Sequence, residues 1–359
     1  MSYSIRHTET QEDWVKWDEF VNESKRGIYL QTENWLKGYA SYGFSSSLIL
    51  AESDDGELLG GMGVVLASTG PFKVLVCPFG PIVKSGQEGL LEPMVSRFKE
   101  VAIGYNAFLS QTSFPFSSSE NWDSYFPHIE TVDKSLDEDG VGMLFKFVTG
   151  IDGVRAVNLY PKESDSLQKV LANYKSSCRR NVRKSESFGH ELFFAQKDDD
   201  VRRAYSVIES NAESQGYSVR AWSDFGPTIL QMVQKGQCHV PCCLHEGQMK
   251  GALLVFDVGK KLHYIMGGTV REEVDHKIGH FLHHSIIQFG IEKGYEFYDI
   301  SMGGSPGVVR FKEGFGGEVV NLGDTRYWVH RNGLYWAYQK LMPWVQRNKK
   351  LMSKLLSKK

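Results

Sequence analysis

Twice along the chain the hydropathy pattern runs in the same order. Period-two strand segments joined by tight turns come first, then an amphipathic helical segment, then more strand. In the first half, Ser47–Ser53 and Leu58–Ala67 read as strands joined at Asp54-Asp55-Gly56, and Phe72–Cys77 reads as a third. A helix follows over Glu88–Val101, apolar at Leu90, Leu91, Met94, Val95 and Phe98, before Ala107–Ser110 and Leu144–Val148 return to strand character. In the second half, His239–Leu244, Gly251–Asp257 and Leu262–Met266 form a meander. A long helix over Glu272–Lys293 comes next, apolar at Ile278, Leu282, Ile286 and Phe289 and stopped by Gly294. Strands and helices mixed in this order predict two tandem α/β (α+β) units, 1–153 and 154–330, with a basic helical segment at 331–359 packed back on the body.

The remaining segments fit that frame. Gln31-Thr32-Glu33-Asn34-Trp35 opens a helix with Thr32 as N-cap and Gly43 past its end. Ala156–Tyr160 reads as a strand and Ser164–Tyr174 as a helix, and a basic run from Lys175 to Lys184 reads as helix up to Gly189. Glu191–Ala195 is a further strand, followed by helices over Val201–Gln215 and Thr228–Lys235.

Composition excludes several classes. At 359 residues and 41% hydrophobic content the chain can bury two cores. No apolar run approaches the roughly 18 residues that span a bilayer, and the polar start MSYSIRHTETQEDW lacks a signal-peptide core, so a cytoplasmic location is expected. Five cysteines are too few and too irregular for a disulfide framework. Thr325–Lys359 holds nine Lys or Arg and no acid, which leaves −11 on the preceding residues of a chain totalling −2. That asymmetry suggests an anionic partner for the tail, either a membrane surface, through an interfacial helix, or RNA phosphates; lysines exposed on a packed helix are the plain alternative. No Gly-x-Ser-x-Gly elbow, Walker loop or dinucleotide fingerprint is present, which disfavours serine hydrolases and P-loop enzymes.

The stretch richest in chemistry is Tyr295–Gly317, YEFYDISMGGSPGVVRFKEGFGG. It reads as an aromatic strand ending at Asp299, a glycine-rich loop Gly303-Gly304-Ser305-Pro306-Gly307, and then Phe311-Lys312 before Phe315-Gly316-Gly317. A carboxylate at a strand end needs a partner if buried, and the loop frees backbone N–H groups to face a ligand. A lysine between two aromatic positions can be held as a fixed, partly desolvated cation. Elsewhere, Lys175, Arg179 and Arg183 fall at helical spacing with Arg180 and Lys184 alongside, a surface that can grip phosphates or simply face water. His276, His280 and His284 share that spacing, but no metalloprotease glutamate follows His276. Cys238, Cys242, Cys243 and His245 alternate across a strand, so core packing is favoured over metal binding at both places.

Taken in order, Gln31-x-x-x-Trp35, Cys77-Pro78-Phe79-Gly80-Pro81, Arg179-Arg180-Asn181-x-Arg183-Lys184, Gly267-Gly268-Thr269, Tyr298-Asp299 and Phe311-Lys312-x-x-Phe315-Gly316-Gly317 resemble the FemAB-type (Fem) transferases of peptidoglycan interpeptide bridges. The resemblance implies two tandem GNAT (acyl-CoA N-acyltransferase-like) domains. It implies transfer of an aminoacyl group from aminoacyl-tRNA to an amine of a nucleotide- or lipid-linked murein precursor, with no bound cofactor. It places the assisting lysine at Lys312 and contacts to the precursor diphosphate at Lys37 and Arg180, with Arg183 beside it. Asp299 is expected to orient the lysine or the attacking amine, and Tyr264, Tyr298, Phe311, Gly303 and Gly304 to line the substrate site. The sequence departs from the family in lacking a helical arm for tRNA. His276-Lys277-Ile278-Gly279-His280-Phe281 is a degenerate version of the acyl-CoA pyrophosphate loop. Two alternatives stay open: a CoA-dependent N-acyltransferase acting on an amino sugar of a surface polysaccharide, and a non-catalytic lipid- or RNA-binding protein. Neither the group transferred nor the oligomeric state can be read from the residues.

Overall fold

The structure, a computed structural model, describes residues 2–115, 153–322 and 325–347, so the strand expected at Leu144–Val148 lies outside the described residues. The chain forms two compact units. The first comprises Met1–Phe20, Leu30–Ile151 and Gly323–Lys359; the second comprises Val21–Tyr29 and Asp152–Leu322.

In the first unit, β1 (Tyr3–Thr8), β2 (Ser45–Ser53), β3 (Leu58–Thr69), β4 (Phe72–Cys77), β5 (Ile82–Val83) and β6 (Leu109–Ser113) share one mixed sheet with β15 (Thr325–Val329). Its order is β1-β2-β3-β4-β6-β15, with β5 also on β3. The hairpin at Asp54-Asp55-Gly56 forms as expected, with Gly56 at φ 82. Successive residues of β2 point to opposite faces. Ile49 and Ala51 join Met94, Val95 and Phe98 of α3 (Leu91–Gly104) in one core. Leu50 and Gly61 turn the other way, and Gly61 has no room for a Cβ against the ring of Trp17 on α1 (Gln11–Glu23). The sequence reading passed over β1 and α1, although Trp14, Trp17 and Val21 carry the helical period.

Gln31, just before the short helix α2 (Glu33–Lys37), and the Cys77–Pro81 turn are structural parts of this unit. The buried Gln31 amide behaves like a strand segment: its Nε2 donates to Gly63 O (3.1 Å) and its Oε1 accepts from Gly63 N (2.6 Å). Gly80 is held by its own N–H to Ser113 O (2.9 Å) and by Thr112 Oγ1 donating to its carbonyl (2.7 Å). The sequence boundary at 330 assigned Thr325–Val329 to the second unit, whereas these residues pair antiparallel with β6 in the first. The following helix, α10 (Asn332–Arg347), buries Tyr338 between Phe72 and Phe108, while Trp336 stays 63% exposed. The lysine-rich residues 348–359 lie outside the described residues.

The second unit is an eight-stranded mixed sheet. Its strands are β7 (Gly153–Asn158), β8 (Glu191–Phe194), β9 (Cys238–His239), β10 (Pro241–His245), β11 (Gln248–Val258), β12 (Lys261–Thr269), β13 (Phe297–Asp299) and β14 (Glu318–Asn321). They run β14-β7-β13-β12-β11-β10-β8, with β9 on β11. The predicted meander is β10-β11-β12. One face packs against α4 (Ser166–Asn173), α5 (Ser176–Glu186) and α8 (Ile278–Lys293) through Val170, Tyr174, Cys178, Val182, Leu282 and Ile286. On the other side, α6 (Asp198–Ser214) approaches Gly268, which has no space for a Cβ against Ile208. Helix α7 (Trp222–Gln234) lies beside α6.

Two expectations need correction. Helix α8 begins at Ile278 instead of Glu272, so residues 270–277 form a loop at its N-terminus. Its end is as predicted, with Gly294 left-handed at φ 77. The glycine-rich segment is not one continuous loop either: Ser305 is the N-cap and Pro306 the first residue of α9 (Pro306–Glu313). Proline is well suited to a first helical turn, where its missing N–H has no intrahelical partner to lose.

Candidate active site

Strands β12 and β13 are parallel, paired through Lys261–Phe297, Leu262–Tyr298 and His263–Asp299. That pairing stops at Asp299 while β12 continues to Thr269. Where the strands part, the chain after Asp299 turns through Ser301 (φ 67) and Gly304 (φ 137) and enters α9. Lys312, in the last turn of α9, points back under this turn and is buried at 4% exposure. Its ammonium donates to Gly303 O (2.7 Å) and Ser301 Oγ (3.0 Å) and lies over the Tyr264 ring, 5.3 Å from the centroid. An ammonium has three N–H donors, so one remains for a ligand. Burial lowers the Lys312 pKa to about 8, offset by the charge of Asp299 and reinforced by that of Arg155. The group is therefore mainly a cation at neutral pH.

Asp299 does not float in the core. Its Oδ1 accepts from the backbone N–H of Ser301 (2.8 Å) and Arg155 (3.0 Å), and its Oδ2 faces His263 Nδ1 at 3.4 Å. It thus fixes the turn that presents Gly303 and supplies negative charge near Lys312. Beneath lies an aromatic floor. Phe311 packs edge-on against His280 (4.8 Å), His283 (5.4 Å) and Phe315 (5.4 Å). His283 shares a 2.7 Å hydrogen bond with the fully buried Tyr298 hydroxyl and stacks edge-on with Tyr264. Burial, with the nearby Lys312 cation, drops the His283 pKa to about 3, so the imidazole is neutral; burial raises the Tyr298 and Tyr264 phenols. Lys312, Asp299, Tyr264, Tyr298, Phe311, Gly303 and Gly304 therefore come together. Tyr298 does so as part of the floor, since it is fully buried.

A cavity of about 360 Å³ adjoins this floor, walled by the 269–277 loop, the first turn of α8 and Phe311. Arg271, His276, Lys277 and His280 line it together with Glu272 and Asp275, so cations and carboxylates are balanced there. Lys277 pairs with Asp275 and His276 with Glu272, and the donors left for a ligand are Arg271 and the backbone at the helix N-terminus. Gly279 faces Phe311 at ordinary contact distance: a Cβ there would sit 3.4 Å from the ring.

The other expected residues are placed differently. Arg179 turns inward and donates to the carbonyls of Leu171, Ala172 and Tyr174, closing the end of α4. Lys175 pairs with Glu313 (3.1 Å). Arg180 and Arg183 are exposed on α5. Lys37, in the first unit, donates to Glu33 (2.7 Å) and Gln11 (2.9 Å) and lies over Trp14. The histidines at helical spacing diverge: His276 precedes α8, His280 meets Asn181, and His284 meets Tyr174. Cys238, Cys242 and Cys243 are buried. Sequence reasoning missed Ser301, Arg155 and His283. Of these, Arg155 carried a signal, a lone cation inside the apolar strand GVRAVN.

Residues 172–313 match the sequence model of the acetyltransferase (GNAT) domain. Among solved structures, the fold is similar to FemX (TM-score 0.78, 13% identity, 93% of this chain and 100% of that one). It is also similar to the C-terminal domain of a putative lysylphosphatidylglycerol synthetase from Agrobacterium fabrum (TM-score 0.53, 12% identity, 94% and 97%). A third likeness is to a conserved protein of unknown function from Bacteroides thetaiotaomicron (TM-score 0.54, 11% identity, 91% and 99%). No curated protein matches the sequence. The expected fold, two tandem GNAT-like units, is borne out, the resemblance to Fem-type enzymes holds at the level of that fold, and the second unit carries the match to the acetyltransferase (GNAT) domain.

Proposed function

We propose that the chain transfers an aminoacyl or acyl group from an activated ester or thioester to an amine of a nucleotide- or lipid-linked cell-wall precursor. The observation that carries this reading is the buried Lys312 ammonium, aimed by Ser301 and Gly303 and retaining one N–H. As the acceptor amine attacks the carbonyl, negative charge grows on the carbonyl oxygen. A preorganised cation in a water-poor site stabilises that oxyanion without rearranging, an effect typically worth about 10²–10³ in rate per donor. The amine leaves the intermediate as an amide while the alcohol or thiol of the donor departs with the proton.

Aminoacyl-tRNA and acyl-CoA both bring phosphates, and the α8 N-terminus with Arg271 beside it offers donors to either, across a cavity that also holds the carboxylates of Glu272 and Asp275. The same cavity favours a second reading, CoA-dependent acylation of an amino sugar. The purified chain is incubated with charged tRNA or acetyl-CoA, each with a nucleotide-linked murein precursor or an amino sugar, and with anionic liposomes. Ribonuclease-sensitive transfer, or thioester cleavage that requires the precursor, supports the first reading, and thioester cleavage that requires the amino sugar supports the second. Binding to RNA or liposomes with no turnover of either donor would leave a non-catalytic protein and sink both.

A further inference from the structure

Arg155 occupies a position that an apolar residue would fill. It shares a sheet face with Val157, two residues on in β7, and Val157 belongs to the core under α4, α5 and α8. The arginine stem is accommodated by Gly317, whose φ of +67 suits glycine and whose missing Cβ would sit 2.8 Å from Arg155 Cγ. The Arg155 side chain is only 14% exposed, yet its charge is poorly answered. Its Nη2 lies 3.8 Å from Glu313, a carboxylate that also pairs with Lys175 at 3.1 Å. Its Nε is buried without a hydrogen-bond partner. Asp299 offers no relief, since the Oδ1 nearest β7 already accepts two backbone N–H groups. A guanidinium this enclosed is normally held by a bidentate oxyanion, because an unanswered buried donor is unfavourable.

We infer that Arg155 is an anion-binding residue that grips a carboxylate or phosphate of the substrate beside Lys312. Its place in the reaction rests on the acyl-transfer reading; its role as an anion site does not. Oxygens of the anion take the Nη edge of the guanidinium that Glu313 approaches only at 3.8 Å, and Glu313 swings toward Lys175. The depression of the Lys312 pKa by Arg155 shows that the two cations sense each other. A bound anion therefore raises the Lys312 pKa and keeps it protonated when substrate is present.

Isothermal titration of the full chain with three probes tests this: pyrophosphate, a short N-acetylated peptide with a free C-terminal carboxylate, and the same peptide as its C-terminal amide. The wild type is expected to bind at least one anionic probe and, where that probe is the peptide, to bind its amide at least about tenfold more weakly. Preference for pyrophosphate assigns a phosphate, and preference for the peptide a carboxylate. Arg155→Gln should lose at least about tenfold in affinity, Arg155→Lys should recover part of it, and Glu313→Gln should tighten binding by removing the competing carboxylate. Far-ultraviolet circular dichroism checks the fold of each variant, and the opposite sign expected for Glu313→Gln keeps the test decisive if Arg155→Gln is unstable. Absence of binding by the wild type to both anions, a peptide preferred over pyrophosphate but bound no tighter than its amide, or unchanged affinity of the preferred anion in Arg155→Gln would each overturn the inference. No readout needs turnover: anion binding lost in Arg155→Gln with no transfer from any donor retires the acyl-transfer reading alone.

Discussion

The Lys312 ammonium donates to the Gly303 carbonyl across 2.7 Å, so the direction of the cation is set by a backbone group nine residues earlier. That carbonyl is in turn placed by the turn that Asp299 ties down through the Ser301 N–H. Strand end, turn and helix thus converge on one nitrogen, and each link can be broken separately.

Lys312→Met is the first test. Methionine keeps most of the stem volume and removes the charge, so transfer should fall about 10²–10³-fold with the fold intact. The thermal midpoint at pH 7 should not drop, because a buried cation held below its ordinary pKa is itself destabilising. Near-normal turnover from this variant sinks the assignment of Lys312.

The pH dependence has two opposite signs. Transfer that needs the ammonium should decline as pH rises through about 8. Stability goes the other way. Between about 8 and the unfolded value of 10.5, the unfolded chain binds more protons at this site than the folded one, so stability from this group rises with pH. The effect is at most on the order of 3 kcal/mol. Thermal midpoints of wild type and Lys312→Met, measured from pH 7 to 10, should therefore shift relative to each other in favour of the wild type. Parallel curves across that range contradict the lowered pKa.

Asp299→Asn separates charge from geometry. The amide oxygen can still accept from Arg155 and Ser301, so the loss of stability should be only about 1–2 kcal/mol. The negative charge that holds the Lys312 pKa up is gone, however. The alkaline limb of the transfer profile should then move to lower pH, as read from kcat/KM against pH. An unmoved limb means that Asp299 serves the fold only.

How much of this was legible follows from how local each signal is. Lys312 stood out because Phe-Lys-x-x-Phe-Gly-Gly is a compact run, and the β10–β12 meander because its turns are short. Helix α9 was missed because Gly-Gly-Ser-Pro-Gly was read as turn chemistry, although Ser305-Pro306 is also an N-cap followed by a first-turn proline. Arg155 could not be ranked, because Asp299, Glu313 and Gly317 reach it only after the sheet has brought β7 between β13 and β14. The return of Thr325–Val329 to the first sheet was equally hidden, since a strand does not carry the address of its partner.

Gln31 offers a test of a landmark that proved structural. Its amide replaces a strand in satisfying both backbone groups of Gly63, and it is fully buried. Gln31→Ala strands that donor and acceptor, and urea denaturation should show a loss of roughly 2–4 kcal/mol. A change under about 0.5 kcal/mol would mean that the pair forms no such bond in solution.

The basic helix separates into two kinds of arginine, and paired substitutions can tell them apart. Arg179 is bonded to three carbonyls at the end of α4, so Arg179→Ala should lower stability by about 1–2 kcal/mol whatever the ligand. Arg180 and Arg183 are exposed, and their alanine variants should stay within about 0.5 kcal/mol of the wild type in denaturant melts. If they meet a precursor diphosphate, the double variant should instead weaken binding of a nucleotide-linked precursor. It should also flatten the salt dependence of that binding, because each exposed cation on a phosphate adds to the screening-sensitive part of the affinity. Unchanged affinity and salt dependence would leave Arg180 and Arg183 as a solvated face that does not meet the diphosphate.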